Sequence, residues 1–287
     1  MSTTTPTLPA SVLGAALRQA RITLLRKYTS GSGIGTLVMS LAFVVLLWFL
    51  RDTDFRDGAV MAGGFVLVGF ISFGVIAAAV LAVSAELQTE REDGTLLRAK
   101  AVPHGMTGHL VAKLFVTPLD ALLPLLPALV GAAIVLPGQL PTDVGSWLLF
   151  ALVFVVSVAA MIPWGAVLGS IFRTMMGLAW AMMGMYAVAA VAGIFYPLSA
   201  LPGWLQWLGQ ATPLYWIGHA FRAALLPTDA AAAEIGGEFR LGLALVVLVG
   251  WAVVGLVVAP VVLRRMARRQ SGSVVAAARD RVLSKGY

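Results

Sequence analysis

Four stretches of the chain, Gly31 to Leu50, Gly58 to Ala85, Gly145 to Phe172 and Leu241 to Leu263, carry no Asp, Glu, Lys or Arg. Each reaches or exceeds the roughly 20 residues with which a helix crosses a bilayer core. A soluble domain is about 45–50% apolar. Here 60% of 287 residues are hydrophobic and 11% charged, with a mean hydropathy of +0.92, more apolar surface than a soluble fold of this size can hide. A strand-built barrel would alternate in polarity over segments of about ten residues, a pattern not seen here, so helices are the remaining way to satisfy the backbone in hydrocarbon. The first run is too long for a signal-peptide core and meets Arg51 without a small-x-small cleavage site, so Ile34 to Leu50 reads as a retained span.

Six spans are predicted, at about 33–50, 60–83, 110–136, 145–171, 175–195 and 241–263. With the N-terminus inside, sixteen Lys and Arg fall on the cytoplasmic side, and Arg51, Arg56, Arg222 and Arg240 fall outside. This asymmetry places both termini in the cytoplasm. The net charge of +7 therefore reflects flanks of apolar runs, the signature of membrane orientation rather than of nucleic-acid binding. In the leader, Leu13, Ala16, Leu17, Ala20 and Leu24 share one helical face, which predicts an interfacial helix within 1–32. The tail 264–287 opens with Arg264, Arg265, Arg268 and Arg269, a topology anchor at anionic headgroups. Residues 33–263 read as one membrane domain.

Between the fifth and sixth spans, Tyr196 to Arg222 is uncharged until its last residue, broken by Pro197, Pro202 and Pro213, and studded with Trp204, Trp207, Tyr215 and Trp216. It is too interrupted for one span and too apolar for a free loop. Short re-entrant helices in the outer leaflet account for it, as does an aromatic belt on a surface loop.

Chemistry of its own is hard to place on the chain. There is no Cys, no H-E-x-x-H and no G-x-S-x-G, and His104, His109 and His219 lack metal-ligand company. None of Lys27, Lys100, Lys113 and Lys285 follows a phosphate-binding glycine loop, so no ATP hydrolysis of that type is expected.

The polar loop 84–113 is denser in charge. Glu86, Glu90, Glu92 and Asp93 precede Gly94, and Arg98 and Lys100 follow it. Acids before and bases near the end of a helix complement its dipole, predicting a short helix from Thr95 to Val102, stopped before Pro103. Leu96, Leu97 and Ala101 form an apolar strip beside Glu90, Arg91, Glu92 and Arg98. That composition suits a docking surface, and equally a solvated turn with a plain turn glycine.

The order acid, Arg, acid, x, Gly-Thr-Leu-Leu-Arg and then Pro resembles the cytoplasmic motif of ABC-2 type permeases of the daunorubicin-resistance kind. Gly193-Ile194-Phe195-Tyr196-Pro197-Leu198, Leu201-Pro202-Gly203-Trp204-Leu205 and Thr212-Pro213-Leu214-Tyr215 are similar to that family's stretch before the last span. With the leader and six spans the likeness covers nearly the whole chain, closest to actinobacterial multidrug-efflux subunits. It implies an all-α membrane protein with the type V exporter fold, lodged in the plasma (inner) membrane and paired with a second permease copy as a homodimer. It also implies two copies of an ABC-type ATPase subunit that bind ATP and Mg2+, this chain holding no cofactor. On that likeness Glu90, Arg91, Glu92, Gly94, Thr95, Leu96 and Arg98, in a coupling helix at about 90–102, transmit ATPase closure.

For a substrate path the candidates are Asp120, Phe65, Phe70, Phe73, Met182, Met183 and Tyr186. Asp120, between Pro118 and Pro124, is the acid inside a predicted span, where a charge costs roughly 2.5–3.5 kcal/mol. It reads either as functional or as paired with Lys113 or Arg173. Met175, Met176, Met182, Met183 and Met185 with Trp180 and Tyr186 make an adaptable surface, or ordinary packing and lipid contact. Sparse polar groups along these spans favour lipophilic or amphipathic compounds such as drugs, with lipid or polysaccharide export as the alternative. A secondary transporter would lean on Asp120 for ion coupling, and a membrane-embedded enzyme lacks its constellation.

Overall fold

The computed structural model describes residues 21–22, 25, 31–55, 60–92, 116–172 and 174–269. Most of the leader helix, the tail beyond Arg269 and the loop 93–115 lie outside them.

Helix α1 (Gly31–Leu50) leads through a two-residue antiparallel ladder, Asp54–Phe55 against Val60–Met61, into α2 (Ala62–Ile76). From α2 the rod continues through a π-helical turn, Ala77–Ala82, into α3 (Val83–Glu92). A helical stretch over 116–122 breaks at a turn before α4 (Leu125–Val135). Then follow α5 (Val144–Ile171), α6 (Met175–Val191), a 3-10 turn at Leu198–Ala200, α7 (Gly203–Gln210), α8 (Pro213–Leu225), a 3-10 turn at Thr228–Ala233 and α9 (Leu241–Arg269).

Among the described residues five helical stretches are long and apolar enough to cross a membrane: Gly33–Leu50, Ala62–Glu90, Val116–Val135, Val144–Ile171 and Leu241–Leu263. A sixth apolar stretch, Met176–Val191, is shorter. It ends where Gly193 turns the chain at φ 60°, a backbone position that disfavours any side chain, four residues before Pro197. The acidic residues Glu86 to Glu92, read from the sequence as loop, instead prolong the second span as helix α3. Polar composition at a span's end does not stop a helix that lacks Gly and Pro.

The Ala62–Glu90 rod is central: 61% of its most apolar window is buried, against 17% for α9. Leu67, Val68, Ile71, Val75, Ile76 and Ala79 are all closed off from solvent. The outer helices turn Leu41, Val45 and Phe49 of α1, and Val246, Val253 and Leu256 of α9, outward, the arrangement expected where lipid replaces water as solvent.

Small residues set the close contacts. Gly131 of α4 lies against Val44 of α1, and the Ser40 hydroxyl donates to the Pro124 carbonyl at 2.7 Å, tying α1 to the start of α4. Gly255 of α9 seats against Pro163 and Trp164 of α5, and the Trp164 indole donates to the Trp251 carbonyl at 3.1 Å. Such backbone approach is the usual basis of helix association in lipid. Only 13 residues long, about 20 Å, α8 is nonetheless packed among α2, α5 and α9 and buried along almost its whole length.

Candidate functional site

The first region of interest is where the central rod leaves the bundle. At the π turn α5 approaches so closely that a Cβ on Gly165 would fall onto the carbonyl oxygen of Ala79, with Val83 Cβ at 3.0 Å and Val80 Cα at 3.1 Å. One turn on, a Cβ on Gly169 would meet Ser84 Cα at 2.9 Å and its carbonyl at 3.0 Å. The buried Ser84 hydroxyl lies 2.6 Å from the Val80 carbonyl and 2.8 Å from that of Gly165, so its single proton is shared between its own helix and α5. Gln88 donates from its side-chain amide to the Phe172 carbonyl, capping the end of α5. The two glycines and two polar groups thus bind α3 to α5 backbone to backbone. A π turn holds wider, i to i+5 hydrogen bonds and is frequent at functional sites.

Of the seven residues proposed for ATPase coupling, Glu90 is half-buried on α3, and Arg91 and Glu92 complete that helix. Gly94, Thr95, Leu96 and Arg98 lie outside the described residues.

The proposed path residues do not converge on one surface. Asp120 is buried on the 116–122 helix. Phe70 stacks on Phe43 of α1, ring centroids 3.9 Å apart. Phe73 stacks on Tyr186 at 5.2 Å and approaches Phe195 at 6.2 Å, so this pair is brought together. Met182 is half-buried, while Met183 and Tyr186 are exposed on the outer face of α6 with Met176 and Trp180. Phe65 is wholly buried and packs against Ala230 and Ala233 at the end of the bundle opposite Glu92.

There the structure reveals a buried ion cluster that sequence reasoning missed. Arg222, counted above among the four basic residues on the outer side, is wholly buried, as is His219, with Glu234 nearly so. Arg222 Nε donates to Glu234 Oε1 and Nη1 donates to the Gly193 carbonyl at 3.4 Å, while its guanidinium sits 5.1 Å from the centre of the Phe65 ring. His219 Nε2 accepts the backbone N–H of Arg240 at 2.9 Å. That nitrogen therefore carries no proton, and Nδ1 donates to Glu234 Oε2 at 2.8 Å from a neutral ring. Tyr215 adds its hydroxyl to Oε2 at 3.3 Å. Burial works against the Glu234 charge, yet the Arg222 guanidinium and the His219 N–H hold its carboxyl at about 2. The cluster ties the Gly193 turn, α2, α8 and the lead-in to α9 together. A signal existed: Tyr215, His219 and Arg222 stand at i, i+4 and i+7 on one helical face, followed by Glu234. Among the described residues no group of three or more His, Asp or Glu is arranged to hold a metal ion.

A family model described as ABC-2 family transporter protein matches residues 51–259, which include the π turn, both clamp glycines and the ion cluster. A comparison with curated proteins finds no match.

Proposed function

Because this chain belongs to the ABC-2 family of transporter proteins, a family of membrane components that are not themselves the ATPase, we propose that it is the permease subunit of an ATP-driven exporter. Its cargo is a lipophilic or amphipathic compound, and a separate ATPase subunit in two copies binds ATP and Mg2+. Two permease copies form the translocating unit in the plasma membrane. The apolar helix α6 serves as a sixth span beside the five longer ones, α7 and α8 enter the outer leaflet without crossing, and both termini lie in the cytoplasm.

The observation that carries this reading is the central rod. One continuous helical element runs from the ion cluster to Glu92, is the most buried of the spans, and delivers the chain directly into the charged segment beginning at Asp93. A partner pulling on Glu90, Arg91, Glu92, Gly94, Thr95, Leu96 or Arg98 would act on that rod, and through the Gly165–Gly169 contact on α5, so that closure of the ATPase switches the packing of the whole bundle. The short, buried α8 supports the re-entrant reading, since a half-length helix is tolerated at membrane depth only when sheltered by protein. The unpolar aspect of Met183 and Tyr186, and the Phe73–Tyr186 stack, suits an amphipathic cargo better than a strongly polar one.

Affinity purification of the tagged chain from its native membranes in mild detergent is expected to bring down an ATPase carrying a Walker motif, identified by mass spectrometry. Glu92→Lys and Gly94→Pro are expected to reduce its recovery by about tenfold or more while leaving the permease in the membrane. A chain that purifies alone from several detergents would remove the basis of the proposal, and drug efflux that collapses with an uncoupler at constant ATP would replace it with ion coupling.

A further inference from the structure

Between α7 and the start of α8 lies a cavity of about 560 Å³, within the usual size range of small-molecule sites. Gly203, Gln206, Trp207 and Gln210, at i, i+3, i+4 and i+7 on one face of α7, form one wall, and Trp216 with Ile235 forms the other. Gly203 and Trp207 are exposed, so the cavity opens at the protein surface.

The hydrogen bonds of the lining leave a defined set of groups for a ligand. Gln206 Nε2 donates to the Leu201 carbonyl at 2.7 Å and to that of Ser199 at 3.4 Å, and Gln210 Nε2 donates to the Gln206 carbonyl at 3.2 Å. A carbonyl only accepts, so these contacts fix which end of each amide is nitrogen. Neither Oε1 receives a hydrogen bond among the described residues, and neither is sealed off from solvent. The Trp216 indole N–H is spent on the Gln210 carbonyl at 2.7 Å. The cavity therefore offers two amide oxygens, two indole rings and the N–H of exposed Trp207, with no charged side chain in its lining.

This set selects by elimination. An oxyanion would face two carbonyl oxygens. A cation would find no carboxylate, and the Trp216 ring already has the Arg240 guanidinium 5.9 Å from its centre. A plain hydrocarbon would leave both oxygens without a donor. A hydroxyl both donates and accepts, and a saccharide carries several of them around an apolar C–H face that can lie on an indole. Trp204 and Trp207, 69% and 79% exposed, have a placement typical of the boundary between membrane and water, where a sugar arrives either free or as the headgroup of a glycolipid.

We propose that this cavity binds a neutral glycosyl group, its hydroxyls donating to Gln206 Oε1 and Gln210 Oε1 and its ring lying on the indole of Trp207 or Trp216. The site stands on its own lining and does not depend on the exporter reading.

The test uses the full chain in an uncharged oligo-oxyethylene detergent, because maltosides themselves carry a glycosyl group. In one arm, saturation-transfer NMR follows the ring protons of glucose, mannose, galactose and maltose. In the other, native mass spectrometry counts dodecyl maltoside retained from mixed micelles. At least one of these probes is expected to bind saturably at millimolar concentration or below, whereas the general exclusion of sugars from protein surfaces produces no saturation. Binding of a free sugar identifies a soluble saccharide as sufficient, and binding of dodecyl maltoside alone identifies a headgroup held at the membrane surface. Trp207→Ala and Gln210→Ala should each raise the apparent Kd about tenfold. Trp204→Ala removes a neighbouring exposed indole that does not line the cavity and should leave the Kd unchanged. Absence of saturable binding by every probe in the wild type overturns the proposal, as does an undiminished affinity in both folded lining variants, an equal loss in Trp204→Ala, or saturation by tetramethylammonium in place of the sugars.

Discussion

Glu234→Ala is expected to destabilise the folded protein by about 3–5 kcal/mol, the usual penalty for removing one partner of a buried ion pair. The substitution strands Arg222, which has no exposure to solvent, and takes the shared acceptor from His219 and Tyr215 at once. Removing both charges is a different matter, because two apolar side chains of similar size need no desolvation. Arg222→Met combined with Glu234→Leu should therefore recover most of the loss. Denaturant midpoints in detergent for the two single variants and the pair test this, and a double variant as unstable as Glu234→Ala would show that packing, not charge, holds the cluster. The pH dependence has a definite sign. The Glu234 carboxyl falls from an ordinary 4.5 to about 2 on folding, so its contribution is complete above roughly pH 4.5 and drains away as pH falls toward 2. In Glu234→Gln that part of the acid sensitivity should be missing.

Gly165→Val is expected to force α5 away from the π turn and to abolish export. The new Cβ would strike the Ala79 carbonyl and lie 3.1 Å from Val80 Cα, both of them backbone that no rotamer change can move aside. Overpacking of this kind costs about 1–3 kcal/mol and sometimes more. The internal control is Gly184 of α6, where a Cβ meets nothing within 4 Å. There Gly184→Ala should be neutral or stabilising by up to about 1 kcal/mol through helix propensity alone. Thermal midpoints and transport rates of Gly165→Ala, Gly165→Val and Gly184→Ala give a comparison of opposite signs. Identical behaviour of the two alanine variants would mean that the close approach of α5 to the rod carries no energetic weight.

Much of the architecture is legible in the chain because charge is so costly in hydrocarbon that its absence marks a span. The uncharged run from Gly145 to Phe172 corresponds to α5 at Val144–Ile171, started by Asp143 accepting the Ser146 N–H at 2.8 Å. The polar end of the rod was hidden for the converse reason: Glu86 to Glu92 has the composition of a loop, and only its lack of helix breakers hints at α3. The π turn had no signature at all, since Ala77–Ala82 would make an α-helix equally well in isolation.

The ion cluster escaped the sequence because pairing is a tertiary fact: Arg222 and Glu234 are twelve residues apart, and an isolated arginine after an uncharged stretch does not name the acid that will meet it. Aromatic residues are legible only as apolar bulk. Phe65 lies beneath Arg222 and Phe70 stacks on Phe43, partners that their sequence spacing does not reveal.

The π turn also bears on how the second span tolerates changes in chain length. A π turn accommodates about 4.4 residues where an α-turn takes 3.6, so the rod between Ala62 and Glu92 contains roughly one residue more than a regular helix of the same reach. Deleting one alanine from Ala77–Ala79 should let the rod close into an unbroken α-helix, with Phe65 and Gln88 still at their own ends. The same deletion in α5 would turn every side chain beyond it by about 100°. The protein thus carries one residue of slack, stored where α5 has only glycine to offer against it.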